Sequence, residues 1–599
     1  MKDLNINRRE FFTVSTLFAS TFLGQQGCAF SNKYTLEGDV SSKSFKVDIH
    51  CHIFNAKDID ALRFVERFID RINKSFDPLK PILTSLAILI LSPAVLRART
   101  AEKELEFLEA KELGLPETEA QFDKEDYKNL VADKIIEDLK NLESSESKIN
   151  WNELIKFDEK LNFKSELQEF QKNVEENEFS SKYRFIGLQI LDKILGTPFA
   201  ELFNFAFIAS QNRSTNAKEL IRTYNKEKTN FRLFVPEMVD FDLWIKSDCK
   251  EGPGITEEAG FPETNYDLGN QIKLMSKISI LNNGMILPMI PYDPLRDLKN
   301  EQGQINSGLN IVKLAIKKYG FVGVKVYPAN GFYPTGNKNI NASDLCQKNG
   351  KELDKKLDVF YKWCSDHDVP IMAHCNKSMG TLKKFDDRGN PIHWEGVFKK
   401  WPKLRVNLGH FGGFNGIYEL NDFDAINDLN DEKINKNNWP VTILKMMQKY
   451  PNFYSDLALF DEFIKPSIGL FNLCKLFSYN SKIDKYFSNL REARKILLKN
   501  NIHLENRLMY GSDWFMLAKE RGNKKYFKEF YRVFNEHFSF NMENIFGGNA
   551  IRYLGLNKNL KTAKNTPIEY LAEFYKSNKI IPSWLKFLDD NSLLKRIIH

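Results

Sequence analysis

The sequence predicts an α/β fold: a TIM-like (β/α)8 barrel with a large all-helical insertion after strand 1 and a helical C-terminal tail. Three observations predict it. Short apolar strands alternate with amphipathic helices beyond residue 229, at intervals of roughly forty residues, the pattern of repeated β/α units. One more apolar strand, Phe45-Lys46-Val47-Asp48-Ile49-His50-Cys51-His52-Ile53-Phe54, stands far upstream and completes a set of eight. Histidines and an aspartate fall at strand C-terminal ends, the positions that carry chemistry in such barrels.

The N-terminus reads as an address. Asn7-Arg8-Arg9-Glu10-Phe11-Phe12 precedes a moderately apolar stretch and Gly27-Cys28-Ala29. A paired arginine before a weakly hydrophobic segment resembles a twin-arginine export signal, here over residues 1–30. The expectation is an exported, periplasmic or envelope-associated protein, cytoplasmic if this segment is no signal. Cys28 is a candidate lipid anchor, although Gln25-Gln26-Gly27 lacks the apolar residue expected before it.

Alternation along the first strand puts His50 and His52 on one face. Residues 61–228 then read as helical. Residues 82–91 form a dense apolar run expected to stop at Pro93, too short to cross a bilayer. Residues 102–172 are rich in Glu, Lys and Leu at helical spacing, and 183–207 are more apolar. This block leaves the barrel just after His52, on its catalytic face. It therefore reads either as a lid over the pocket or as an appended contact domain.

The remaining strands are read at residues 231–235, 285–290, 322–327, 370–374, 405–409, 453–455 and 508–510. The barrel thus comprises residues 45–60 and 229–556, and 557–599 form a helical tail broken by Pro567 and Pro582. The composition, 42% hydrophobic and 28% charged with net charge +7, is that of an ordinary globular chain without a basic block. No nucleic-acid partner, no transmembrane segment in the mature chain and no disulfide framework are expected, and homo-oligomerisation stays open. Cys51 and Cys375 flank ligand histidines but point to the opposite face, as buried small hydrophobes do.

The chemistry rests on a constellation. His50 and His52 end strand 1, His374 ends strand 5, His410 ends strand 6 and Asp513 follows strand 8. Imidazole and carboxylate donors converging at one barrel mouth suit a divalent ion, zinc first. A single histidine at a strand end is commonly structural; four of the nine in the chain, in barrel order with an aspartate, are hard to dismiss. His367, His393, His503, His537 and His599 read as structural or surface residues. Glu237, Asp240, Tyr292, Asp293, Arg296, Tyr327, Asn330 and Asn376 are weaker candidates to line the pocket.

At these residues the sequence resembles the amidohydrolase superfamily, in particular amidohydrolase-related family 2. Val47 to Phe54 looks like its opening motif. Val322-Gly323-Val324-Lys325-Val326-Tyr327-Pro328, Leu408-Gly409-His410-Phe411-Gly412-Gly413 and Tyr510-Gly511-Ser512-Asp513-Trp514 are similar to its strands four, six and eight. Ile545-Phe546-Gly547-Gly548-Asn549-Ala550-Ile551-Arg552 resembles its closing helix. The resemblance implies that His50, His52 and His374 hold the metal and that Asp513 ligates or takes a proton from bound water. His410 would complete a second site or polarise a carbonyl. Lys325 stays open between a carboxylated bridge to a second ion, a substrate-carboxylate contact and a structural ion pair.

A bound zinc lowers the pKa of its water from about 15.7 towards ~7, which supplies hydroxide at neutral pH. The expectation is a metal-dependent hydrolase of a small molecule's amide, lactone or ester bond. Its rivals are a non-oxidative decarboxylase of an unsaturated or aromatic acid and a catalytically silent envelope binding protein.

Overall fold

The computed structural model describes residues 45–59, 80–114, 122–141, 200–226, 229–241, 267–299, 308–341, 348–378, 380–418, 438–460, 473–519, 523–537 and 542–598, with isolated positions between them. The expected export segment, with Cys28, lies outside the described residues, as does most of 142–199.

Eight parallel strands carry the architecture. They are β1 (Lys46–Cys51), β2 (Phe231–Pro236), β3 (Met289–Tyr292), β4 (Gly323–Val326), β5 (Ile371–Ala373), β6 (Val406–Leu408), β7 (Phe453–Asp456) and β8 (Leu508–Met509). Regular ladders pair β1 with β2 and join β3 to β8 in consecutive order. Narrower contacts link the two sheets. Phe234 N–H donates to Met285 O at 2.9 Å, Leu287 N–H to Phe234 O at 2.9 Å and Met238 N–H to Met289 O at 3.1 Å. On the other side Ile49 N–H donates to Tyr510 O at 3.1 Å. Backbone hydrogen bonds therefore run from β1 through β8 and back to β1.

Every strand core is buried, which explains why these segments read as apolar runs without polar alternation. The third strand starts later than its sequence suggests. Pro288 offers no N–H to a ladder, so Ile286 makes only an isolated bridge to Phe234 and regular pairing begins at Met289.

Helices occupy the connections: α6 (Leu268–Leu281), α7 (Gly308–Lys318), α8 (Gly350–Asp366), α9 (Trp394–Lys400), α10 (Trp439–Lys449), α11 (Leu473–Lys499) and α12 (Tyr526–His537). Asp267, Asn349 and Asn438 cap three of them, each accepting from backbone N–H groups of the first turn.

The described part of the insertion comprises α1 (Lys80–Arg97), α2 (Ala101–Glu112), α3 (Lys124–Lys140), α4 (Ala200–Ala209) and α5 (Arg213–Lys226). Pro93 does not stop α1, contrary to expectation; the helix carries it and ends at Arg97. Proline removes one backbone donor, and the helix here is buried deeply enough that packing outweighs that loss (Leu89, Ile90, Leu91 and Ala94 are all at 0% exposure). Among the described residues no single helix is long and apolar enough to cross a membrane.

A buried ion cluster ties the insertion to the end of β1. Arg213 donates to Asp58 through Nε and Nη2, both at 2.5 Å, and through Nη1 to Glu104 at 3.1 Å. Glu104 also accepts the N–H groups of Arg213 and Ser214, which start α5.

The C-terminal segment is a plug. Leu571, Tyr575, Trp584 and Leu585 share one apolar cluster with Phe45, Val47 and Ile49 of the first strand and with Leu233, Leu287, Val322 and Met372. Trp584 Nε1–H donates to Gly284 O at 2.9 Å, in the turn leading to β3. The tail therefore seals the strand ends opposite the histidines.

Candidate metal centre

The strands deliver their polar residues to one spot. His50, His52, His374, His410 and Asp513 are all buried, with exposures between 0% and 8%. Potential ligand atoms of His50, His52 and Asp513 lie within 4.8 Å of one another. The imidazoles form a chain: ring centroids are 5.3 Å apart for His52 and His50, 4.8 Å for His50 and His410, and 4.9 Å for His410 and His374.

Close backbone approach makes this possible. A Cβ on Gly409 would lie 2.5 Å from Met372 Cε and 3.0 Å from His50 Cε1, and one on Gly511 would lie 2.7 Å from His50 Cβ. Both strand ends that flank His50 thus need glycine. Left-handed backbone follows at the same ends, at His410 (φ 65°), Phe411 (φ 47°) and Asp513 (φ 51°). Such strain costs about 1–3 kcal/mol per residue and gathers at functional sites. Ser512 and Asp513 N–H groups both donate to His50 O, at 3.0 and 2.7 Å, which locks β8 onto β1.

Each imidazole next to Asp513 is oriented through Nδ1. His52 Nδ1 donates to Glu237 O at 2.7 Å and His410 Nδ1 to Ala458 O at 3.1 Å. A carbonyl only accepts, so the proton sits on Nδ1 and Nε2 keeps its lone pair. His50 Nδ1 meets both oxygens of Asp456 at 3.1 and 3.2 Å. His50 Nε2 is buried and has no hydrogen-bond partner. His52 Nε2 faces Asp513 Oδ1 at 3.0 Å. Lone pairs aimed inward, with acceptors behind them, are how proteins prepare histidines for a metal. The donor set fits a divalent cation.

Electrostatics agree. Burial pushes the His50 imidazole well below its ordinary value, reinforced by Lys325 and His410, so the ring stays neutral. Burial does the same for His374, helped by His410 and Lys325. Burial also pushes the Asp513 carboxyl up, but its close contact with the His52 ring and the nearby imidazoles outweighs it. Asp513 is held below the usual carboxylate range.

His374 stands one ring further out. It stacks on Tyr327 at 4.2 Å, and its Nε2 lies 3.4 Å from Tyr327 Oη. Lys325 is buried and its ammonium pairs with Glu237. Of the weaker candidates, Arg296 pairs with Asp240, Asn330 donates to Asp240 O, Tyr292 donates to Asp297, and Asp293 accepts from Leu295 N–H. Asn376 accepts from Lys377 N–H. These groups build loops. Cys51 and Cys375 are buried free thiols inside the apolar core, as expected. His367 bonds its own helix through Trp363 O, and His393 pairs with Asp387.

Sequence reasoning missed Asp456. Its carboxylate accepts from His50 Nδ1, from the N–H groups of His410 (3.0 Å) and Ala458 (3.1 Å), and from Asn407 Nδ2 (2.8 Å). Its signal was available: an acid at the C-terminal end of strand seven occupies the same kind of position as the histidines.

Buried imidazoles with fixed tautomers and a carboxylate at parallel strand ends define a metal-dependent enzyme with a divalent-metal site. A family model described as amidohydrolase matches residues 312–556, a stretch that runs from within α7 past β8. Among solved structures, a 2,6-dihydroxybenzoate decarboxylase is 14% identical, with 56% of this chain and 87% of that chain covered and a TM-score of 0.31. A zinc-bound amidohydrolase from Burkholderia multivorans is 11% identical over 56% and 87% of the two chains, TM-score 0.30. A metal-dependent hydrolase described as putative, from Lactobacillus casei, is 11% identical over 90% and 97%, TM-score 0.33. No curated protein matches the chain.

Proposed function

We propose that the chain is a zinc-dependent hydrolase that cleaves an amide, lactone or ester bond of a small molecule in a TIM-like (β/α)8 barrel. The observation that carries this reading is the set of three imidazoles pinned through Nδ1, with His52 Nε2 facing Asp513. His50 and His52 hold the ion with Asp513, and His374 joins them from β5. When bound, the ion supplies Lewis acidity that activates water and polarises a carbonyl. Asp513, kept ionised by its neighbours, accepts the proton of the attacking water and passes it to the leaving group. The tautomer of His410 supports a role in holding a cation: with Nδ1–H committed to Ala458 O, the neutral ring has no Nε2 proton to offer a carbonyl.

In this reading the chain comprises an export signal (1–30), a barrel (45–60 and 229–556), an insertion (61–228) and a tail (557–599), and it works outside the cytoplasm. The insertion borders the pocket. Its Phe64 lies 6.1 Å from Phe241, Phe241 lies 4.9 Å from Tyr327, and Tyr327 stacks on His374. That aromatic series supports a lid.

The test is a substrate panel run in H2-18O on metal-loaded protein. Label in the product acid supports hydrolysis. Carbon dioxide release with no label in the organic product supports the decarboxylase. Absence of bound metal, with binding unchanged in His50→Ala, supports the silent barrel.

A further inference from the structure

We propose that Glu237, just past the end of β2, is a further metal-ligating residue of this centre, with Lys325 as the counter-ion that holds it. The inference rests on the metal-centre reading and adds a strand that contributed no ligand to it.

The backbone fixes the residue first. Glu237 N–H donates to Cys51 O at 2.8 Å, and Glu237 O accepts from His52 Nδ1 at 2.7 Å. Glu237 is therefore clamped to the segment that carries both histidines of the first strand. Its side chain is wholly buried. Oε2 pairs with Lys325 Nζ and lies 3.4 Å from His50 Nε2.

Two atoms are left over. Glu237 Oε1 and His50 Nε2 are both buried, and neither has a hydrogen-bond partner. They belong to side chains in contact with each other, and both are ligand atoms. Buried polar atoms are satisfied almost without exception, so two orphans of this chemistry on touching side chains point to one missing cation. A purely structural Lys–Glu pair explains Oε2 and leaves Oε1 and His50 Nε2 unexplained.

Charge leads to the same place. Glu237 and Asp456 touch His50, and Asp513 touches His52, while Lys325 is the ammonium paired within this group. With Glu237 ionised as a ligand and as the partner of Lys325, three carboxylates against one ammonium leave a net of −2, which one divalent ion balances. Desolvated charge of one sign is costly, so a buried set with this imbalance calls for a cation. The same pairing answers the question of Lys325. As an ammonium bound to Glu237 it is a counter-ion; a carboxylated lysine there would set two anions side by side. One metal per chain follows.

The experiment measures metal affinity of the full-length protein by chelator competition with Zn(II), and the visible absorption of the Co(II)-substituted protein. Glu237→Gln is compared with wild type and with the double variant Glu237→Gln/Lys325→Met, which removes both charges and so keeps a foldable interior. Wild type is expected to take one metal. Both variants should bind Zn(II) at least about tenfold more weakly and show an altered Co(II) spectrum. Wild-type affinity with an unchanged Co(II) spectrum in a folded double variant overturns the assignment and leaves the metal centre standing. A wild-type chain that takes up no metal overturns both.

Discussion

Replacing Asp456 with alanine tests whether the centre is organised from behind. The carboxylate serves four donors: His50 Nδ1, Asn407 Nδ2 and the N–H groups of His410 and Ala458. Each buried donor left without an acceptor costs about 1–3 kcal/mol. Relaxation and the relief of removing a buried charge take some of that back. A net loss of about 4 kcal/mol is expected from four donors counted near the low end of that range. The asparagine variant should lose about half as much, because Oδ1 still receives both backbone N–H groups, and Asn407, whose own Oδ1 has no partner, can turn to face the new amide. His50 also loses its orienting partner, so metal affinity should fall roughly 10–100-fold. Urea unfolding of metal-free protein gives the first number, and chelator competition gives the second. An alanine variant within about 1 kcal/mol of wild type that binds metal normally refutes the reasoning.

Three further outcomes are expected. Arg213→Met strands Asp58 and Glu104 in the interior and should cost about 3–5 kcal/mol by denaturant unfolding, while Arg213→Met with Asp58→Asn and Glu104→Gln recovers part of it. Trp584→Ala empties a fully buried site in the tail plug and should cost about 3–5 kcal/mol, with metal content per folded chain unchanged. Phe64→Ala removes the outermost ring of the series leading to His374; KM should rise several-fold with wild-type metal content, whereas unchanged kinetics would detach the insertion from the pocket.

Much of the strand set was legible because parallel strands buried on both faces stand out as apolar runs, and because a ligand residue ends several of them. Boundaries were less legible. Pro288 delays β3, a local cue that the apolar run masked, and burial carries α1 through Pro93, a tertiary effect that local pattern does not contain. At the site, the five strand-end residues were visible as metal-ligand types. Glu237 ranked only as one weak candidate among eight, because nothing in Pro236-Glu237-Met238 shows that its neighbour in space is Lys325. Asp456 was overlooked because the seventh strand was read as ending at Ser455, although Tyr454 and Asp456 share a face.

The tail plug sets an order of events in synthesis. The first strand bears His50 and His52, yet Phe45, Val47 and Ile49 find part of their apolar surroundings in residues 556–594. A ribosome must therefore make more than 500 residues after β1 before that strand is fully enclosed. Contacts of such long range close late in folding. The strand made first among the eight is thus fully enclosed only after the tail plug has been made, and the centre it carries matures late.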